Sequence, residues 1–219
     1  MKNRFLVAIS LLFLLTTYKT KNNNNIFLKL QIEDVIIENN KIVSNEEIQK
    51  NISFVYDTNI FLITSETIEE SLKKIEFIES FKIKKIYPNE LKIKIFEKKP
   101  IAIIQNKQEK KYYTSSGSVI NYIKLKEYEA LPIVFGDEKN FNIIYNDLKI
   151  INFPINEIKK FFLFESKRWD LVTNKNQTIK LPVNNYAQSL ENFLNIKDEA
   201  NLKKFKIFDY RIKNQLILK

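Results

Sequence analysis

The apolar and polar positions of this chain change period three times along its length. Residues 5–18 read FLVAISLLFLLTTY without a charge, with Lys2 and Arg4 before them and Lys19 and Lys21 after. About 14 residues of helix rise roughly 21 Å, short of the roughly 30 Å hydrocarbon core of a bilayer. That length suits a secretory signal, but no small-x-small cleavage pattern closes the segment. The flanking lysines can snorkel and extend it, so an uncleaved anchor and a signal both stand. The anchor side chains would be Phe5, Leu6, Val7, Ile9, Leu11, Leu12, Phe13, Leu14 and Leu15. Residues 19–25 (KTKNNNN) then form a polar spacer.

From residue 27 to 97 the pattern predicts β-α-α-β-β. Residues 27–37 are rich in β-formers. Ser44 stands three residues before Glu47, a capping box, and Ile48, Ile52 and Val55 follow on one helical face. A second helix opens at Thr64 or Ser65 and carries Ile68, Leu72 and Ile75. The period then becomes two. Phe81 and Ile83 alternate with lysines, Pro88 and Asn89 turn the chain, and Leu91, Ile93 and Ile95 alternate with Lys92, Lys94 and Phe96. Two helices on one face of a three-stranded sheet satisfy this pattern, and the opposite face is lysine-rich and solvated.

Beyond Pro100 the chain leans toward strand. Residues 112–120 read as two strands about a tight turn at Gly117, and residues 131–134 as a short apolar run. Phe141, Ile144, Tyr145 and Leu148 give a helical face; residues 158–164 suit either period. Residues 169–173 and 178–181 form a hairpin, and Tyr186, Leu190, Phe193 and Leu194 another helix. Trp169 belongs to the core. Residues 206–219 form the last strand, with Phe208, Tyr210 and Ile212 on one face, Asp209 and Arg211 on the other, and a kink signal at Lys213-Asn214-Gln215.

Composition narrows the chemistry. The 219 residues contain no His, no Cys and 2 Gly. Zinc fingers, Cys–His nucleophiles, His bases, P-loops and dinucleotide-binding glycine fingerprints are therefore excluded. Against 26 acidic residues stand 36 basic ones, a net charge of +10. The only arginines are Arg4, Arg168 and Arg211; the remaining bases are lysines spread along the chain. Even spacing marks lysine drift under AT-rich codon pressure, where a nucleic-acid footprint would cluster its charge. Carboxylate pairs such as Glu46/Glu47 and Asp137/Glu138 read as surface. No cofactor, metal or small-molecule substrate is expected.

The order of these motifs resembles the FtsQ/DivIB family of bacterial cell-division proteins. The matching runs are residues 37–48 (IENNKIVSNEEI), Asn59-Ile60-Phe61, 75–78, 86–91 (IYPNEL) and 97–100 (EKKP). They continue at Gly117 with Val119-Ile120, Leu131-Pro132, Arg168-Trp169-Asp170-Leu171, Ile179-Lys180-Leu181-Pro182 and Asp209-Tyr210-Arg211. Asn39 replaces the family's usual Gly, a position where Asn tolerates the left-handed conformation. Tyr87 replaces the usual Trp before proline.

The resemblance implies an α+β fold: an N-terminal membrane helix, a POTRA domain, then an α+β domain with a mostly antiparallel sheet. Its divisions fall at 1–25 for the cytoplasmic end, anchor and spacer, 26–98 for the POTRA domain and 99–219 for the C-terminal β domain. It implies a non-catalytic scaffold at the bacterial inner membrane and septum. It further implies a cytoplasmic N-terminus, a periplasmic bulk, and FtsB, FtsL and further division proteins as partners. The residues themselves suggest β-augmentation, since a strand with nothing after it leaves unpaired edge groups. The candidate partner-binding residues are Arg211, Ile212, Lys213, Asn214, Gln215, Leu216, Ile217 and Leu218. Arg211 would meet a partner carboxylate, or else Asp209 on its own strand. The alternatives are an exported basic binder of polyanions or nucleic acid, and a POTRA-containing transport or assembly factor.

Overall fold

The computed structural model describes residues 2–17, 30–107 and 109–219 and divides the chain into two compact units, 1–97 and 98–219. Helix α1 (Lys2–Thr17) has 16 residues, a rise of roughly 24 Å. Among the described residues no helix is long and apolar enough to cross a membrane. The nine candidate anchor side chains from Phe5 to Leu15 are all exposed, so none belongs to a protein core. The spacer and the start of the strand expected from residue 27 lie outside the described residues.

In the first unit strand β1 (Asp34–Glu38) is followed by helices α2 (Asn45–Asn51) and α3 (Ser65–Leu72), then strands β2 (Ile78–Ile86) and β3 (Glu90–Glu97). The expected β-α-α-β-β order is the observed one. β3 lies centrally, parallel to β1 and antiparallel to β2. Both helices start at the caps legible in the sequence. The Ser44 hydroxyl accepts from the Glu47 N–H at 3.1 Å and the Thr64 hydroxyl from Thr67 at 3.4 Å, each satisfying a donor the first turn leaves open. Ile48, Ile52, Val55, Ile68 and Leu72 are fully buried, as are Leu91, Ile93 and Ile95 of β3. Alternation sends Lys92 and Lys94 to the other face, where β2 pairs them directly with Lys84 and Lys82. Asn39 has φ +68, and its amide donates to the Ile95 carbonyl at 2.7 Å. The turn therefore survives without glycine.

The second unit is built on a nine-stranded sheet in the order β12-β11-β10-β9-β8-β7-β4-β5-β6. Its strands are β4 (Pro100–Asn106), β5 (Glu109–Thr114), β6 (Val119–Asn121), β7 (Ile133–Phe135), β8 (Ile158–Leu163), β9 (Trp169–Thr173), β10 (Thr178–Lys180), β11 (Ile207–Asp209) and β12 (Ile217–Leu218). Helix α4 (Glu138–Ile150) separates β7 from β8, and α5 (Tyr186–Ile196) separates β10 from β11. Each helix lies between two strands that are parallel to their neighbours, as β7 is to β8 and β10 to β11. The sheet is thus mixed, with five antiparallel pairings and three parallel ones, and in two of the parallel pairs a crossover helix returns the chain in the same direction. Residues 158–164, ambiguous in the sequence, contribute strand β8.

Register explains the core. Ile104, Val134, Phe161, Leu171, Ile179, Phe208 and Leu218 stand directly opposite one another across β4, β7, β8, β9, β10, β11 and β12. Phe141, Ile144 and Leu148 of α4, with Leu190 and Phe193 of α5, join the same cluster. Phe193 meets Phe208 edge-on at 5.0 Å, and Trp169 meets Phe161 at 6.3 Å. Both glycines are used. Gly117 has φ +83 in the β5–β6 turn, and a Cβ at Gly136 would stand 2.9 Å from Leu163 Cβ.

Candidate partner-binding edge

The last residues do not form one continuous strand from 206 to 219. β11 ends at Asp209, the chain turns through Asn214 at φ +59, and β12 returns antiparallel to β11. The Gln215 N–H donates to the Ile212 carbonyl at 3.1 Å and closes the turn. The kink signal at Lys213-Asn214-Gln215 is therefore a hairpin turn. Asn214 is its left-handed residue.

β12 is the outermost strand of the sheet. Ile207 and Lys219 exchange N–H···O bonds of 2.9 and 3.1 Å. In an antiparallel ladder bonded and non-bonded pairs alternate. The N–H and C=O of Leu218 consequently point away from β11, and the same alternation carried one residue beyond the strand would turn those of Leu216 outward too. Their side chains pack against the core cluster on the helical face, while Ile217 is turned to the opposite face. An outward backbone position on the outermost strand, whose Leu218 completes the core row, makes a template for one more strand.

On that opposite face the register assembles something the sequence scatters. Asp170 of β9 stands opposite Lys180 of β10, and Lys180 opposite Asp209 of β11. Arg168 reaches Asp170 with its Nε at 3.3 Å from Oδ1. Arg211 grips Asp209 in a fork: Nε to Oδ1 at 2.8 Å and Nη2 to Oδ2 at 2.6 Å, with the Arg211 backbone N–H also on Oδ1 at 3.1 Å. Five side chains thus alternate in sign along three strands. The Arg211 hydrogen bonds hold the Asp209 carboxyl below its usual range, although burial opposes them. Burial is the larger influence at Asp170 and pushes its carboxyl up, against the pull of Arg168, Lys180 and Arg211. Of the two expectations for Arg211, the structure shows the Asp209 pair. Two of its five N–H donors are spent there, and the half-exposed remainder is held in a fixed orientation.

Next to this edge lies a groove of about 580 Å³. Asn185, Gln188, Ser189 and Asn192 form one wall and residues 210–216 the other. The Tyr210 hydroxyl donates to Asn192 Oδ1 at 2.9 Å and its N–H to the Lys180 carbonyl at 2.9 Å, tying α5 to the strand. Burial pushes the Tyr210 phenol well above its usual range. The wall is lined with amides that can donate and accept, which suits polypeptide backbone. No group of His, Cys, Asp and Glu that could hold a metal occurs among the described residues.

The sequence matches the FtsQ-type POTRA domain over residues 30–98 and the FtsQ/DivIB C-terminal domain over residues 102–211. The chain belongs to the FtsQ/DivIB family. It is a non-catalytic cell-division protein and a component of the divisome. Relatives include the cell division protein FtsQ of Rickettsia felis, 28% identical over 96% of this chain and 83% of its own length. FtsQ of Rickettsia conorii is 28% identical over 91% of this chain and 76% of its own. A solved structure, the major extracytoplasmic domain of the trans isomer of the cell division protein DivIB from Geobacillus stearothermophilus, covers 48% of this chain and 96% of its own. It is 11% identical to this chain, with a TM-score of 0.33. The sequence pattern suggested a single kinked terminal strand where the structure has a hairpin, and it did not reveal the alternating ladder. Three FtsQ/DivIB motifs supply its five rungs, Arg168 and Asp170 from one, Lys180 from the second, and Asp209 and Arg211 from the third, and only pairing aligns them.

Proposed function

We propose that the chain is a membrane-anchored FtsQ-type scaffold that captures a strand of an FtsB-type partner on β12. In this reading residues 1–25 carry a short cytoplasmic end, anchor and spacer, residues 26–98 the POTRA domain, and residues 99–219 the C-terminal domain. The bulk is periplasmic, and the POTRA domain recruits further division proteins. The observation that carries the capture mode is the outward backbone of Leu218 on the outermost strand, with Leu216 continuing the same alternation. A strand laid there extends the sheet and meets the Ile217 side and the half-exposed Arg211. A following segment can run into the amide-lined groove. An FtsL–FtsB pair is the partner expected from the family. The exposed apolar surface of α1 supports the anchor, since lipid is the medium that would cover it.

The test is a proline series in the full chain. Proline at Leu216 or Leu218 deletes an N–H that faces outward, whereas proline at Ile217 deletes one bound to β11. Each outward deletion should weaken capture of a co-expressed FtsL–FtsB pair about 3–10-fold, the equivalent of one hydrogen bond. Because Leu218 packs against the core cluster, Leu218→Ala is the matched control: the urea midpoints of Leu218→Pro and Leu218→Ala should be alike, and only proline should weaken capture. Unchanged capture by both outward variants would refute augmentation.

A further inference from the structure

We infer that a second membrane contact is built into the first unit, at the turn through residues 59–63, which seats Phe61, Leu62 and Tyr87 in the interfacial layer of the bilayer. Asn59 organises this turn. Its side-chain oxygen accepts the Phe61 N–H at 2.9 Å, and its carbonyl accepts from Leu62 at 2.9 Å and Ile63 at 3.3 Å. Ile60 and Ile63 are buried at 0% and 2% exposure and pin both ends, while Phe61 and Leu62 at the tip are 59% and 74% exposed. Phe61 stacks on Tyr87, itself 56% exposed, with centroids 5.0 Å apart. The Lys85 ammonium donates to the Phe61 carbonyl at 3.4 Å.

Turn tips ordinarily carry Gly, Asn, Asp or Ser. Here two large apolar side chains and a tyrosine form one contiguous patch, ordered in advance by stacking and by the Asx turn. An apolar body with a phenol and an ammonium at its margin is the composition favoured where bilayer meets water. Covalent geometry supplies the occupant. The Leu30 carbonyl accepts from the Ile60 N–H at 2.8 Å, and Gln31 bridges to Asn59. The chain therefore enters this unit alongside the patch. From Thr17 to Leu30 is about 13 peptide steps, which span at most roughly 45 Å. The turn thus lies within reach of whatever bilayer holds α1. Glu33, Asp34 and Glu90 lie on the same strand ends, with Asn89 bonded to Glu33 at 2.5 Å. They offset Lys84 and Lys85, so apolar insertion drives the contact and anionic lipid is not required. The inference rests on the anchored reading above.

The chain has no cysteine, so Leu62→Cys labelled with nitrobenzoxadiazole reports on this turn alone. The labelled full chain is reconstituted into phosphatidylcholine vesicles without other proteins and floated on a density gradient. The label on floated chain should emit further to the blue, and iodide should quench it roughly five- to tenfold less than the same chain in urea. Adding Phe61→Ser and Tyr87→Ser should return it to water while the urea midpoint holds. Floated chain whose label is fully quenched overturns the contact and leaves the anchor standing. Protection gained only on adding division proteins overturns it too, in favour of a protein partner. Chain that fails to float overturns both.

Discussion

Glu97, the last residue of β3, offers the sharpest test of how the first unit is held. Its Oε1 accepts three consecutive backbone N–H groups, from Lys41 at 3.0 Å and from Ile42 and Val43 at 2.8 Å each. These amides lie in the link from β1 to α2, where no strand or helix supplies an acceptor. Val43 is buried beside the Ser44 cap. Replacing Glu97 with Ala leaves three donors open, two of them partly buried. Hydrogen bonds to a charged group contribute about 1.5–3 kcal/mol when isolated. Three donors sharing one oxygen, one of them exposed, reduce the sum to about 2–3 kcal/mol for Glu97→Ala. Glu97→Gln keeps a neutral acceptor and should lose about 1 kcal/mol. For a module of this size the alanine change would lower the melting temperature by roughly 10–20 °C. Urea unfolding of the full chain in detergent measures the loss, and hydrogen exchange localises it to the amides of residues 41–43. An unchanged midpoint, or glutamine as harmful as alanine, would refute the reasoning.

The charged ladder predicts two opposite acid responses. Asp209 has its folded pKa depressed by Arg211, so it contributes stability that is present above its unfolded value near pH 4 and lost below it. Asp170 has its folded pKa raised, so its contribution is greatest below the unfolded value and lost as pH rises through the folded one. Asp209→Asn should therefore flatten the acid limb of a stability–pH curve, and Asp170→Asn should steepen it. At Gly136 a Cβ would meet Leu163 Cβ at 2.9 Å and Trp169 at 3.3 Å. Gly136→Ala should cost about 1–3 kcal/mol by overpacking, read from urea denaturation of the second unit.

Much of the secondary structure was legible because its causes are local. A cap is a hydroxyl three residues from the N–H it accepts, as at Ser44 and Asp137. A helical face such as Phe141, Ile144 and Leu148 repeats within two or three turns. The left-handed positions were legible only in part. The chain has 2 glycines, and among the described residues Asn39, Asn152, Asn176, Asn185 and Asn214 take positive φ instead. Abundant asparagine is thus partly a conformational resource. The last strand was misjudged in form. Alternation from Phe208 to Ile212 does not reveal that Asn214 reverses the chain, since a left-handed residue interrupts direction without interrupting hydrophobicity.

From its own residues the sequence determined the elements, the chemistry it lacks and the order of motifs that marks the FtsQ/DivIB family. Only the tertiary structure decided which residues meet. Ile104 and Leu218 end the same apolar row, and Asp170, Lys180 and Asp209 lie side by side. The same pairing leaves the backbone of Leu218 facing outward. Register between strands far apart in the chain is settled by burying one face of every strand at once. No short window of sequence contains that condition.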